Sequence, residues 1–249
     1  IYYRMVAVVG YCHCDKNRVD CTETSKKRVL KMSETSAATV PAVTQYTTLR
    51  GLDWGHIRLS YVAPVYLNKP NSDDVLSIFD DYARLPADIL DRVLFVLVDD
   101  GSPQPYRLKD WPLNMIVLRV KEDIPWNNPG ARNLGMVYAK SDKVFVTDID
   151  HQLDEASWRK ILAMPPCGRR AYRFARFAAN GQPLRAHANT FLLSRGHFLR
   201  HGGYDEELCG SYACDDTLLV KYLKYHGTRF STLRNGAKTT IRDIKSTQG

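Results

Sequence analysis

The amino-acid sequence predicts an α/β domain around a largely parallel sheet, and three observations carry that prediction. From His56 onward, short β-branched apolar runs alternate with helix-like stretches, the rhythm of βαβ units. The run Val93 to Val98 is apolar without interruption, as suits a strand buried on both faces. Two of the runs stop at acid clusters, Asp99-Asp100-Gly101-Ser102 and Asp148-Ile149-Asp150-His151. Polar groups at the carboxyl ends of parallel strands face the crevice where open α/β sheets bind ligands.

A first strand is expected at Arg58 to Tyr66. The stretch Ser72 to Arg84 reads as one helix: Ser72 caps it, Asp73 and Asp74 open it, and Val75, Leu76, Ile78, Phe79 and Tyr82 fall at helical spacing. Leu85-Pro86 ends it. The buried run Val93 to Val98 is the next strand, stopping at a turn by composition. Met115 to Val120 is a third, followed by a loop through Pro125 to Asn128 and a helix from Pro129 to Ala139, with proline at its first position. Lys143 to Thr147 is another buried strand, and Asp154 to Met164 a helix. Past Pro165-Pro166, strands at Ala171 to Ala178 and Asn189 to Ser194 flank an Asn180-Gly181 turn of hairpin type, so the sheet becomes mixed. Helices at Arg195 to His201 and Asp215 to His226 precede a basic tail.

With 249 residues, 44% of them hydrophobic, the chain can bury one substantial core. Residues 1–55 do not follow the βαβ rhythm: they hold one apolar run, Met5 to Val9, and a Ser/Thr/Lys-rich stretch from Thr22 to Thr48. They read as an N-terminal extension beside a catalytic domain of residues 56–249. No apolar run approaches the roughly 20 residues that span a bilayer. The sequence opens on Ile1, so a targeting segment or anchor could lie outside it. The net charge of +8 favours acidic partners: nucleic acid, an anionic membrane surface or a phosphate-bearing substrate. Six cysteines are too few for a disulfide framework in a chain this long, and Cys12-His13-Cys14 with Cys21 lacks the usual paired zinc spacing. Reduced thiols and a cytoplasmic setting are expected.

The acid clusters carry the candidate chemistry. Asp99 to Ser102 offers carboxylates beside a turn that lets a flat ring approach the backbone, although Asp-Gly-Ser is also ordinary turn chemistry. Side chains alternate along a strand, so Asp148 and Asp150 are expected on one side with Ile149 turned away. Two such carboxylates repel unless a cation lies between them, and oxygen ligands suit Mg²⁺ or Mn²⁺. The competing reading is a pair of solvated acids. Between the clusters, Asn128-Pro129-Gly130-Ala131-Arg132-Asn133-Leu134-Gly135 starts a helix, with Arg132 near its positive end, where an anion or solvent is suited.

From about Leu59 to about Tyr225 these residues together resemble the GT-A glycosyltransferases of the family 2 type. The matching pieces are Ala63-Pro64-Val65-Tyr66, Val98 to Ser102, the Gly-Ala-Arg-Asn-x-Gly helix start, the Asp-x-Asp at Asp148 to Asp150, and Gly202-Gly203-Tyr204-Asp205-Glu206 followed by Asp215-Asp216. The last stretch is also similar to the C-terminal region of galactosyltransferases. The resemblance implies a GT-A, Rossmann-like fold with a mostly parallel mixed sheet. It implies hexosyl transfer from a nucleoside diphosphate sugar, often a UDP-sugar, to a glycan or lipid-linked acceptor in polysaccharide biosynthesis, with inversion at the anomeric carbon. Pro64, Val65, Tyr66 and Asp99 or Asp100 would hold base and ribose, and Arg132 and Asn133 would lie beside the nucleotide. Asp148 and Asp150 would hold ribose and a Mn²⁺ or Mg²⁺ ion, Gly203, Tyr204 and Asp205 would border the acceptor, and Asp216 or Asp215 would be the general base. Many GT-A enzymes add a late metal-binding histidine after the last helix; here none follows His226, which leaves His151 or His226 as substitutes.

Other readings remain beside this one. A nucleotidyltransferase acting on sugar phosphates also uses paired carboxylates, but it usually carries a glycine-rich loop after the first strand, and Ala63 to Asn68 has no glycine. A nucleic-acid module would need an aromatic-basic signature, which the sequence lacks. The basic tail, with Arg229, Arg234, Lys238, Arg242 and Lys245, could instead rest on anionic lipid at the cytoplasmic face of a membrane.

Overall fold

The computed structural model of the chain describes residues 42–47, 53–69, 73–210 and 214–244, all within the compact unit Pro41–Gly249. The cysteine-histidine cluster at Cys12 to Cys21, the run Met5 to Val9 and the cap at Ser72 lie outside the described residues.

Four parallel strands form the heart of the sheet: β2 (Leu59–Val65), β3 (Val93–Asp99), β4 (Asn114–Arg119) and β5 (Lys143–Val146). β3 lies between β2 and β4, and β5 flanks β2 on its other side, all in parallel register. The outer strands make the sheet mixed. β1 (Ala42–Thr47), drawn from the stretch that the sequence leaves as an extension, pairs antiparallel with β4. β9 (Phe191–Ser194) pairs antiparallel with β5, and beyond it come β7 (Arg170–Phe177), β10 (Arg229–Ile241) and β6 (His151–Leu153).

Both faces are covered, which is why β3 is buried along its whole length. One face carries the short helices α1 (Asp73–Leu76), α2 (Ile78–Tyr82) and α3 (Ala87–Leu90) with α5 (Glu155–Ala163). Its centre is an aromatic nest of Tyr61, Tyr82, Phe95 and Trp158, with ring centroids 5.2 to 6.1 Å apart in edge-on, tilted and stacked pairs. The other face carries α4 (Asn128–Tyr138), α6 (Arg195–Arg200) and α7 (Asp215–Tyr225). Gly135 lets α4 lie directly on β2, because a Cβ there would meet Val62 Cγ1 at 2.3 Å.

Three sequence expectations are corrected. The helix expected over Ser72 to Arg84 is broken at Ser77. Arg242 reaches in from the C-terminal side and donates to the carbonyls of Val75 and Asp74 (3.1 and 3.2 Å) and to Ser77 Oγ (2.5 Å), giving the groups at the break a partner outside the helix. The Asn180-Gly181 turn is real, but it pairs β7 with β8 (Pro183–Leu184) rather than with the strand that follows; β9 meets β7 only at Tyr172 and Leu192. The basic tail is the 13-residue strand β10. Lys238 in it pairs with Asp154 at 3.3 Å, and Arg242 just beyond it is committed as above. No helix among the described residues is long and apolar enough to cross a membrane.

The end of α5 depends on one side chain. Lys143 Nζ, on β5, donates to the carbonyls of Ile161, Leu162 and Met164 at 2.7, 3.1 and 2.6 Å. The Ile161 carbonyl also accepts from the Met164 amide (3.2 Å), but carbonyls of a helix's last turn mostly lack partners within the helix, and the lysine supplies one to all three; burial lowers its pKa. Lys143→Met is expected to destabilise the fold by about 1 to 3 kcal/mol, since acceptors are left unpaired in a buried site. A thermal melt several degrees below the parent's checks it; an unchanged melt would show that water replaces the lysine.

Candidate active site

The carboxyl ends of β2, β3 and β5 converge on one rim, and the acid clusters sit there. The two aspartates of the first cluster have different duties. Asp99 is fully buried and accepts from the Ser102 amide (2.8 Å), the Tyr106 hydroxyl (2.9 Å) and the Arg119 guanidinium. It is spent on shaping the turn, whose Ser102 hydroxyl in turn accepts from the Leu67 amide (2.8 Å). Asp100 faces Asn127, whose amide donates to its Oδ1 at 2.6 Å, and no partner is described for its second oxygen among the described residues. Beside it Tyr66 is 45% exposed, an open ring held at its hydroxyl by Asp123.

Burial, with help from Asp99 and Asp123 and against the Asn127 hydrogen bond, pushes the Asp100 carboxyl up to about 6. An unfolded aspartate ionises near 3.9, so between there and about pH 6 the unfolded chain releases a proton that the native state keeps. Native stability is therefore lost as pH rises through this window, and the full cost stands above it. Asp100→Asn is expected to raise stability at pH 7.5 by about 1 to 3 kcal/mol and by less at pH 5. Melting curves at both values check it; an equal difference at the two would contradict the assignment.

Arg132 and Asn133, which the resemblance sets beside the nucleotide, make their described hydrogen bonds within the protein. Arg132 is 0% exposed: Nε donates to Asn128 Oδ1 (2.9 Å), Nη1 to the Asn189 carbonyl (3.1 Å) and Nη2 to Asp148. Its guanidinium also lies 5.7 Å from the centre of the Tyr204 ring. Burial opposes its charge, but Asp148, Tyr204 and Asp215 more than offset that and raise its pKa. All three nitrogens are satisfied within the protein, so Arg132 orients Asp148 and the loop around it. Asn133 is likewise consumed: it donates to the Tyr204 carbonyl and to Glu206 (both 2.8 Å) and accepts from the Tyr204 amide (2.9 Å). It ties down the segment Gly203 to Asp205. Gly203 has φ +65°, and a Cβ there would meet Asn133 Oδ1 at 2.5 Å, so the tether requires glycine.

The second cluster also differs from the strand-alternation argument. β5 stops at Val146, and Asp148 to His151 form a turn closed by the His151 amide on the Asp148 carbonyl (3.1 Å). With the strand already ended, alternation no longer sets where the two acids point. Asp148 is held by Arg132 and by His187, whose Nε2 lies 3.3 Å from Asp148 Oδ2. Asp150 accepts from His151 Nδ1 at 2.5 Å, and Arg242 holds its carbonyl by a backbone hydrogen bond of 2.8 Å. Burial opposes its ionisation, while His151, His187 and Arg176 hold its pKa below the ordinary aspartate value.

Among the described residues, the group that can hold a metal ion is Asp148, His151 and His187, whose ligand atoms lie within 4.8 Å of one another. His151 is buried, its Nδ1 engaged by Asp150, and its Nε2 has no hydrogen-bond partner. A histidine that gives one ring nitrogen to a carboxylate and keeps the other bare has the arrangement of a metal ligand with its outer partner. The rings of His151 and His187 stand 4.4 Å apart, and burial lowers the His187 pKa, which favours the neutral, ligating form. A divalent cation fits the donors present; Asp150, the other acid of the pair, engages His151 Nδ1. His226, the other substitute considered from sequence, instead stacks on His201 at 4.8 Å. His187 was not legible in the sequence: it sits between Arg185 and Asn189 without a motif, and its contact with Asp148 spans 39 positions (187 minus 148).

At the edge of this centre, α7 begins with the remaining acids. Asp215 is 5% exposed with Oδ2 unpartnered, and burial and Asp216 raise its pKa. Asp216 is more open and accepts from the Thr217 amide at 2.6 Å through one oxygen. Asp205 accepts from the Glu207 amide (3.1 Å) and caps a short 3-10 turn.

No family model matches the sequence, and no curated protein matches it. Solved structures do. S. aureus TarS 1-349 superposes with a TM-score of 0.60 at 15% identity, over 75% of this chain and 60% of that one. TarS 1-349 in complex with UDP-GlcNAc gives 0.59 at 15%, over 78% and 62%. The mannosyltransferase PcManGT from Pyrobaculum calidifontis, in complex with GDP-Man and Mn²⁺, gives 0.53 at 17%, over 77% and 58%. The chain has the GT-A fold. It spans about three fifths of the length of these structures.

Proposed function

We propose that this chain is a metal-dependent glycosyltransferase that moves a hexosyl group from a nucleoside diphosphate sugar, UDP-linked, to a hydroxyl of a glycan or lipid-linked acceptor, with inversion. The observation that carries the reading is the Asp148–His151–His187 donor set at the carboxyl end of the parallel strands of a GT-A fold. Solved structures of the same fold hold UDP-GlcNAc in one case and GDP-Man with Mn²⁺ in another, which supports a nucleotide-sugar donor here. Two imidazole nitrogens beside one carboxylate favour Mn²⁺ over Mg²⁺, which prefers oxygen ligands and retained waters.

When bound, the ion would offset the charge that develops on the departing diphosphate. The protein's own residues do the rest. Tyr66 offers a ring face, and Asp100 a carboxylate, for the base and ribose. Arg132 fixes Asp148, and Asp150 fixes the orientation of His151, so the donor set is held before substrate arrives. Inverting attack needs a base on the far side of the anomeric carbon from the diphosphate, which excludes Asp148. Asp216 fills that role in this reading: it is the more open acid of its pair and keeps one oxygen for the acceptor hydroxyl, with Asp215 buried behind it toward Arg132. A thermal-shift screen of UDP, GDP, dTDP and CDP sugars with and without Mn²⁺ tests the reading, since a ligand that binds only the native state raises its melting temperature. A shift for one base, present only with the metal, is expected; no shift for any would refute a nucleotide-sugar site.

A further inference from the structure

Between Pro165 and Gly203 the chain has seven arginines and neither aspartate nor glutamate. Most of that segment runs through β7, the β7–β8 turn and β9, beside the candidate centre. Arg176, near the end of β7, is the arginine of this group whose charge bears on both Asp150 and His187. The sheet register shows why. Arg176 pairs across the sheet with Thr239 of β10, and Thr239 pairs with Leu153 of β6. Directly paired residues share a face, and His151 lies two residues before Leu153, so His151, Thr239 and Arg176 all project to the same side.

Each of these three carries a buried polar atom without a hydrogen-bond partner: His151 Nε2, Thr239 Oγ1 and Arg176 Nε. Arg176 has no ion pair among the described residues, although a buried arginine N–H without an acceptor is costly and uncommon. Donors left open on the same face as a bare metal-ligating nitrogen are the complement of a multidentate anion. A phosphate group offers several acceptor oxygens, matches the guanidinium fork, and can meet a metal ion through another oxygen.

We propose that Arg176, with Thr239 beside it, forms a phosphate-binding subsite next to the Asp148–His151–His187 centre. The subsite holds either the diphosphate of the donor or a phosphate carried by the acceptor. It rests on the transferase reading for the source of that phosphate, but not for the subsite itself. Neither residue belongs to a sequence motif, and the function described above gives them no part.

The test is calorimetry on the full chain with Mn²⁺, using UDP as one probe and inorganic phosphate, added to the UDP-saturated protein, as the other. Arg176→Gln is expected to weaken one of the two by about tenfold to a hundredfold, the effect of losing a charge-assisted hydrogen bond. Loss of UDP affinity assigns the subsite to the donor. Unchanged UDP affinity with lost phosphate binding assigns it to an acceptor. Arg176→Lys, which keeps the charge but not the fork, is expected to fall between and is the variant read if the glutamine form does not fold. Parent and Arg176→Gln binding both probes equally, or the parent binding neither, overturns the proposal. If the parent binds phosphate through Arg176 but no nucleoside diphosphate, the subsite stands and the transferase reading fails.

Discussion

Alanine at His187 is expected to remove Mn²⁺-dependent nucleotide binding while leaving the fold intact. His187 is a half-buried loop residue whose described partners are Asp148, His151, Asn189 and Thr190, so its removal opens little of the core. As one of three protein ligands it should cost more than the roughly 10- to 100-fold in metal affinity that loss of an outer-shell partner brings. Asp150→Asn is the matched comparison: if Asp150 stands behind His151, this variant falls within that smaller range. Asp148→Ala is a poorer probe, because it leaves the fully buried Arg132 without its carboxylate, a loss of about 3 to 5 kcal/mol in comparable buried pairs. Manganese titration of the two preferred variants reads the difference. A larger loss in Asp150→Asn than in His187→Ala would return the metal to an Asp148–Asp150 pair.

The second large effect is expected at the start of α7. Asp216→Asn should lower turnover by roughly a hundredfold or more with donor affinity nearly unchanged, the signature of a base that acts mainly in the transition state. Asp215→Asn should lower it less. Asp215 is almost closed to solvent, near Arg132 and Tyr204, and has little room to meet an acceptor. The alternative for both acids is simple support of a helix start, which carboxylates favour without any catalysis. That alternative predicts lower melting temperatures and near-parental turnover. Retained turnover in both single variants, measured once a donor and acceptor are identified, would place the base elsewhere.

The sheet was legible in the sequence because parallel strands buried on both faces leave uninterrupted apolar runs. Expected Arg58 to Tyr66, Val93 to Val98, Met115 to Val120 and Lys143 to Thr147 became β2, β3, β4 and β5 with ends displaced by a residue or so. β6 and β10 were hidden for opposite reasons. β6 is only three residues long, and β10 is rich in basic and hydroxyl side chains that resemble a solvated tail. The break at Ser77 could not be read locally, since the side chain that bonds to the groups there, Arg242, lies 165 positions away.

At the site, the sequence locates the acid clusters at strand ends but not the hydrogen bonds that each side chain makes there. Arg132 and Asn133 look like ligand-facing groups at a helix start, yet both spend their hydrogen bonds on Asp148 and on the Gly203 to Glu206 segment. Asp99 looks equivalent to Asp100 and is instead buried with three donors. For Asn133 the partners lie 71 and 73 positions away, which residue type and spacing do not encode; for Asp99 they lie nearby, but the turn that gathers them is set by the fold.

Titration of UDP into the full chain, once with Mn²⁺ and once with the metal chelated, tests the central claim most directly. Binding that appears with Mn²⁺, disappears on chelation and is lost in His187→Ala is the expected result. UDP, and GDP, dTDP and CDP in its place, giving no heat in either condition would contradict it, as would binding that ignores both the metal and His187.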